Sequence, residues 1–303
     1  MSILEAIGNT PLVELRHLNP KRPAVRILAK LEGNNPGGSV KDRAALRMIE
    51  AAEKSGALLP SHTILEATSG NTGIAMAMIG AAKGYRVKLC MAASVSIERR
   101  KILEALGAEI VLTPALERTD GAIRRVRQMA SDSPGEYFVP NQFDNPDNVL
   151  AHCESTGPEI LAQTDGQLDV FVTGMGTTGT LMGVSQYLKE AKPSARVVGI
   201  EPPLGHRIQG LKNMQESIQP KIYDPSMLAD KITVLDHEAF STARRLATLE
   251  GIFAGMSGGA SVAGAIRLAS RMTRGTIVAL LPDRGDRYLS TELFQSAAQP
   301  KVA

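Results

Sequence analysis

The chain carries little net charge: 34 lysines and arginines stand against 31 aspartates and glutamates, a formal +3. That balance is too small to favour nucleic acid or an acidic membrane surface as a partner. Basic residues are interleaved with acids, as in "IERRKILEALGAE", and form no long run of like charge. No apolar stretch reaches the roughly 18 residues of a membrane span. Only two cysteines occur, Cys90 and Cys153, too few for a disulfide framework. Cys90, inside the apolar run "VKLCMA", reads as a buried free thiol, and the compartment as the reducing cytosol. The five histidines have no metal spacing, and His152 with Cys153 is too isolated to suggest zinc. The opening "MSILEAIGNTPLVEL" has neither a basic start nor an apolar core. No signal peptide is expected, and the expected location is cytoplasmic.

The 303 residues are 43% hydrophobic, enough for a sizeable core, and the 28 glycines are clustered. Short β-rich runs alternate with helical patterns. "VRILAKLE", "HTILEAT", "RVKLCMA", "AEIVLT", "EYFVP", "LDVFVTG", "RVVGIEP" and "GTIVALLP" read as strands. "KDRAALRMIEAAEKSG", "GIAMAMIGAAKGY", "SIERRKILEALG", "DGAIRRVRQMASD", a segment through "GPEILAQT", "TLMGVSQYLKEA", "HEAFSTARRLATLEG" and "GGASVAGAIRLASRM" read as helices. The strands are apolar almost throughout, as in parallel sheets covered on both faces. The expected class is α/β, with two three-layer α/β/α domains and mostly parallel sheets. The polar stretch "PNQFDNPDN" interrupts the strand series near the middle. The weakly periodic segment 203–230 reads as a functional or covering loop.

Three turns stand out. In "NPGGSVKDRAAL", two glycines and a serine prepare Lys41 at a helix start. A solvated helix start needs no such preparation, but a lysine meeting a small electrophile does. In "LEATSGNTGIAMAM", a strand enters a helix through six small or polar residues, with Thr68, Ser69, Asn71 and Thr72 as side-chain donors. This suits a carboxylate or phosphate, although Ser, Thr and Asn are also ordinary caps. In "VTGMGTTGTLMG", Gly174, Gly176 and Gly179 match the dinucleotide fingerprint, and Glu201 ends the next strand at about the spacing of a ribose-binding acid. A phosphate monoester can use the same loop, with Thr177, Thr178 and Thr180 adding hydroxyls. A further strand-to-helix turn, "FAGMSGGASVAG", places Ser257 at the expected cap position.

A Schiff-base lysine, a phosphate cradle and a separate carboxylate site are what a pyridoxal-phosphate enzyme acting on an amino acid requires. "NPGGSVKDRAA", "EATSGNTGIAMA", "MGTTGTLMG", "EGIFAGMSGGA" and "DRGDRYLST" together resemble the cysteine synthase family, with the tryptophan-synthase-β-like fold (fold type II). The resemblance runs in order from "IGNTPLVEL" to "RYLST". "DRGDRYLS" and "ERRKILEALGAE" look most like the B-type O-acetylserine sulfhydrylase.

The resemblance implies roles at matching positions. Lys41 would bind pyridoxal 5'-phosphate covalently and act as base. Asn71 would meet the ring oxygen, and Ser257 the pyridine nitrogen. Gly174, Gly176, Thr177, Thr178, Gly179 and Thr180 would form the phosphate loop. Thr68, Ser69, Gly70 and Thr72, with Gln142, would grip the substrate α-carboxylate. The implied reaction is β-replacement of O-acetyl-L-serine by sulfide, through an α-aminoacrylate, to give L-cysteine. A neutral serine suits it, because it does not hold a proton on the pyridine nitrogen as an aspartate would. Residues 1–36 with 146–303 would form the larger, cofactor-phosphate-binding domain, and 37–145 a smaller, mobile substrate-binding domain. A homodimer is expected from the family only.

The segment "GHRIQGLKNMQESIQPKIYDP" departs from the aromatic-rich B-type version. It looks more like the phosphoserine-using branch, in which an arginine stands at the position of Lys212. Lys212 is therefore a candidate contact for O-phospho-L-serine, although Lys212 and nearby Arg207 also read as surface charges. The alternatives are a cystathionine β-synthase-like β-replacement and an NAD-dependent oxidoreductase built on "GMGTTG".

Overall fold

The computed structural model describes residues 2–68, 70–215 and 218–295. In chain order the main elements are β1 (Leu12–Glu14), β2 (Val25–Leu31), α1 (Lys41–Ser55), β3 (Thr63–Ala67), α2 (Asn71–Lys83), β4 (Arg86–Ala92), α3 (Ile97–Ala105) and β5 (Glu109–Thr113). There follow α4 (Arg118–Asp132), β6 (Tyr137–Phe138), α5 (Pro146–Ala151), α6 (Gly157–Gln163), β7 (Val170–Gly174) and α7 (Gly179–Ala191). The chain continues through β8 (Arg196–Glu201), β9 (Asp230–Thr233), α8 (Asp236–Glu250), α9 (Met256–Arg271) and β10 (Gly275–Leu281). One sheet has the order β1-β2-β10-β7-β8-β9, the other β5-β4-β3-β6. Every pairing is parallel except that of β1 with β2. This is the expected two-domain α/β class.

Successive strand residues point to opposite faces, and here both faces are buried. In the larger sheet, Ile27, Val172 and Ile277 pack with Phe240, Leu246 and Leu268 of α8 and α9. Their neighbours Leu28, Phe171 and Val278 pack on the other side with Ile160, Leu181 and Leu188 of α6 and α7. In the smaller sheet, Ile64, Leu89 and Met91 meet α1 and α2, while Leu65, Ala67 and Cys90 meet α4. Helix α2 is buried along nine consecutive residues, Thr72 to Gly80. Such an all-round apolar helix fits only inside a layered structure.

The expected strands all form. Two further strands, β1 and β9, were not expected. Both are short, partly exposed edge strands, so neither shows a continuous apolar run. The helix expected through "GPEILAQT" is interrupted by a wider π turn, His152–Thr156, between α5 and α6. No strand precedes "FAGMSGGA": Ala254 forms only an isolated bridge to Arg284. Both cysteines are free, and burial pushes the Cys90 thiol up to about 11. Among the described residues, no helix is long and apolar enough to cross a membrane.

Candidate active site

The Lys41 turn is braced from several sides. Val40 N donates to Pro282 O at 2.9 Å, and Ser39 bridges Asp283. Gly38 has φ +80°, and a Cβ there would strike the Arg287 guanidinium. The two charges behind Lys41 have structural tasks. Asp42 accepts from Gly37 N, and its carboxyl, pushed up to about 7 by burial, closes the turn. Arg43 enters a buried ion-pair cluster, 2.8 Å from Glu32 and 2.6 Å from Glu159, and Glu159 also meets Lys30 at 2.7 Å. With the helix start fixed, Lys41 Nζ lies 3.4 Å from Thr177 Oγ1. Burial lowers the amine to about 8, against the opposing charge of Asp283.

At the start of α2, Thr68 Oγ1 accepts from Gly70 N and Gly73 N at 2.9 and 3.1 Å, which leaves its own proton to donate. Gly70 has φ +126°, a conformation open to glycine, and a Cβ there would strike the Arg99 side chain. Asn71 Nδ2 donates to Asp283 Oδ2, and Arg287 Nη1 donates to Asn71 Oδ1, each at 2.6 Å. Thr72 Oγ1 donates to Gln142 Oε1 at 2.6 Å, and Gln142 Nε2 donates to Ala67 O at 2.7 Å. Behind them, Glu66 accepts from Gln142 N at 3.1 Å, and burial pushes its carboxyl up to about 7. Ser69 lies outside the described residues.

The start of α7 is a second helix N-terminus aimed at the same space. Thr177 Oγ1 accepts from Asn148 Nδ2 at 3.2 Å, and Thr180 Oγ1 lies 3.2 Å from His152 Nε2. Thr178 has φ +68°, unusual for a β-branched residue, and its buried Oγ1 has no partner among the described residues. A Cβ on Gly176 would come within 2.6 Å of Gly210 O. Gly174 and Gly179 are similarly close-packed, against Leu211 and Asn148. An unpartnered hydroxyl at a helix N-terminus, whose first-turn N–H groups have no intrahelical acceptor, is the chemistry of an anion cradle, so the loop fits a phosphate monoester. It does not fit the dinucleotide alternative. Glu201 is committed to Met214 N at 3.0 Å and Lys231 Nζ at 3.3 Å, so the expected ribose-binding acid has structural partners instead.

Ser257 is the second residue of α9, whose N-cap is Gly255, so the expectation that it caps the helix is corrected. It is buried, and it lines one pocket with Lys41, Asn71, Thr72, Gln142 and Thr177. Lys212 reaches the same pocket. It is 7% exposed, 3.1 Å from Asp120 Oδ1 and 5.0 Å above the Phe143 ring, so it is no surface charge. Arg207 is one: it is solvent-exposed and pairs with Asp236 and Glu292. Residues 209–212 and Thr119 line both this pocket and an outer cleft of about 840 Å³.

The sequence reading missed His152, Asn148 and Asp283. His152 was weighed only as a zinc ligand. It is fully buried between Thr156 and Thr180, and burial holds it well below its ordinary value, so it stays neutral beside the loop. Asn148 lies in "PNQFDNPDN", read only as an interruption of the strand series. Asp283 and Arg287 sit in "DRGDRYLST", which carried resemblance but no role.

Comparison with known proteins places the chain. Residues 3–283 match the family model described as pyridoxal-phosphate dependent enzyme. The chain is 48% identical over 295 residues to "Cysteine synthase B" of Salmonella typhimurium, covering 97% of this chain and 96% of that protein. It superposes on the crystal structure of an O-ureido-L-serine synthase with a TM-score of 0.92 at 44% identity, covering 99% and 97% of the two chains. The cysteine synthase of Entamoeba histolytica gives a TM-score of 0.91 at 40% identity, covering 99% and 92%. The chain belongs to the pyridoxal-phosphate dependent enzymes and, within them, to the cysteine synthase family.

Proposed function

We propose that this enzyme makes L-cysteine from O-acetyl-L-serine and sulfide by pyridoxal-phosphate dependent β-replacement. One observation carries the reading: the amine of Lys41 is directed at Thr177 of a phosphate-type loop, inside a pocket that also holds Asn71 and Ser257. Lys41 would hold the cofactor, residues Gly174 to Thr180 its phosphate, and Asn71 and Ser257 its ring. When bound, pyridoxal 5'-phosphate supplies the electron sink that makes the substrate Cα acidic and its β-substituent a leaving group.

The remaining work falls to the chain. Thr68, Ser69, Gly70 and Thr72, with Gln142, would bind the substrate carboxylate. Thr72 fixes the Gln142 amide, and Ala67 O takes one Nε2 proton, which leaves the other for the substrate. Lys41 Nζ would move the α-proton, and an amine lowered to about 8 is suited to that exchange near neutral pH. Ser257 offers a neutral hydrogen bond and no counter-charge, which favours elimination over a long-lived carbanion. Phe143 and Leu211 present apolar surface that would exclude water.

In this proposal the unit 37–145 closes over the substrate against 1–36 with 146–303, and the enzyme works in the cytoplasm as a homodimer. The test is steady-state L-cysteine formation from sulfide with O-acetyl-L-serine or O-phospho-L-serine. Turnover with O-acetyl-L-serine is expected; no L-cysteine from either donor would end the reading.

A further inference from the structure

Asp283 follows β10 and lies opposite the Lys41 turn, bridged to Ser39. The residue is 2% exposed. Three donors from separate parts of the chain converge on Oδ2: Asn71 Nδ2 at 2.6 Å, Tyr288 Oη at 2.6 Å and Arg99 Nη2 at 3.4 Å. Its backbone carbonyl accepts from Gly255 N at 3.2 Å, two residues before Ser257. Nothing in composition or motif spacing assigns this residue a task.

The chemistry of its neighbours shows what it controls. An amide side chain can be rotated by half a turn with almost no change of shape, which exchanges donor and acceptor. Asn71 cannot do so. Arg287 only donates, so Oδ1 must face it, and Asp283 Oδ2 accepts, so Nδ2 must face it. The second Nδ2 proton then has a single direction, fixed from both ends. Asn71 lines the pocket, and Asp283 is buried behind it.

We propose that Asp283 is a positioning residue that, with Arg287, locks the Asn71 amide so that its free N–H points toward the ring of the bound cofactor. The proposal rests on the pyridoxal-phosphate reading of the pocket. The ion pair with Arg99 also gives Asp283 a stabilising role, so loss of stability alone does not test it.

A double-mutant cycle on cofactor affinity does. Equilibrium binding of pyridoxal 5'-phosphate, with the absorbance maximum of the bound form, would be measured for the parent, Asp283→Leu, Asn71→Ala and the double variant. Leucine keeps the volume and removes the acceptor, which an asparagine would retain. Each single change should weaken binding by about tenfold, the scale of one charge-assisted hydrogen bond, and shift the maximum. The double variant should be no more than about twofold weaker than Asn71→Ala, because the lock has nothing left to position. Arg287→Met with Asn71→Ala forms a second cycle, and it decides the matter if Asp283→Leu does not fold. Additive losses, or an unchanged affinity and spectrum in Asp283→Leu, would overturn the lock. A parent that takes up no pyridoxal phosphate would instead overturn the reading on which it rests.

Discussion

Lys41 Nζ and Thr177 Oγ1, 136 residues apart in the chain, are separated by 3.4 Å. Lys41 begins α1 and Thr177 precedes α7, so two helix N-termini face one space. The geometry joins a buried amine to a cradle that can hold a phosphate, and the predictions follow from that junction.

Gly176 should tolerate no side chain. Its Cβ would meet the Gly210 carbonyl, a backbone atom that cannot rotate away. Gly176→Asp adds like charge to this crowding. Dialysed protein should retain no pyridoxal phosphate, read from its visible absorbance. Stoichiometric retention would show that the loop holds something else, and bound NAD in the parent would restore the dinucleotide reading.

Ser257→Ala should be mild, the loss of one neutral hydrogen bond of about 1 kcal/mol. Ser257→Asp should place a carboxylate beside the pyridine nitrogen, keep it protonated, and slow elimination or divert it to side reactions. Stopped-flow absorbance with O-acetyl-L-serine separates the two. An Asp variant as fast as the parent would reduce Ser257 to a packing residue of α9.

In the proposed reading, the choice of donor depends on a pair. Lys212→Ala should lower kcat/KM for O-phospho-L-serine by about tenfold or more, the loss of one contact of roughly 1.5–3 kcal/mol, and leave O-acetyl-L-serine unchanged. Asp120 neutralises Lys212 at 3.1 Å. Asp120→Asn should therefore raise the relative use of O-phospho-L-serine. Equal losses on both donors would assign Lys212 to loop structure.

Lys41 should also leave a mark on the stability of the cofactor-free protein. Its amine lies at about 8 when folded and at about 10.4 when unfolded. Between those values the unfolded chain binds more protons, so this group makes stability rise with pH over that window and adds nothing to the slope outside it. Denaturant midpoints between pH 8 and 10 should rise for the parent relative to Lys41→Met. Parallel curves would mean the amine is not perturbed.

The strands, the helices and the glycine-rich turns were legible because each rests on local pattern. β2, β3 and β4 are largely apolar runs, and α1 ends at Gly56 in the left-handed conformation. The pocket lysine and the phosphate-type turn were read from local motifs, and Gln142 was named through the family resemblance alone. What stayed hidden depends on contacts between distant segments. Thr68 spends both lone pairs on its own helix start, and Glu201 is taken by Lys231. Asp283 acquires its partners from residues 71, 99 and 288, and no window along the chain contains those four together.

The central claim is that Lys41 is the residue that carries the cofactor. Borohydride reduction of the enzyme loaded with pyridoxal 5'-phosphate, followed by peptide mass mapping, tests it most directly. The account predicts one stable adduct, on the peptide containing Lys41, and none in Lys41→Ala. An adduct on Lys212 or any other lysine, or none on the parent, would contradict it.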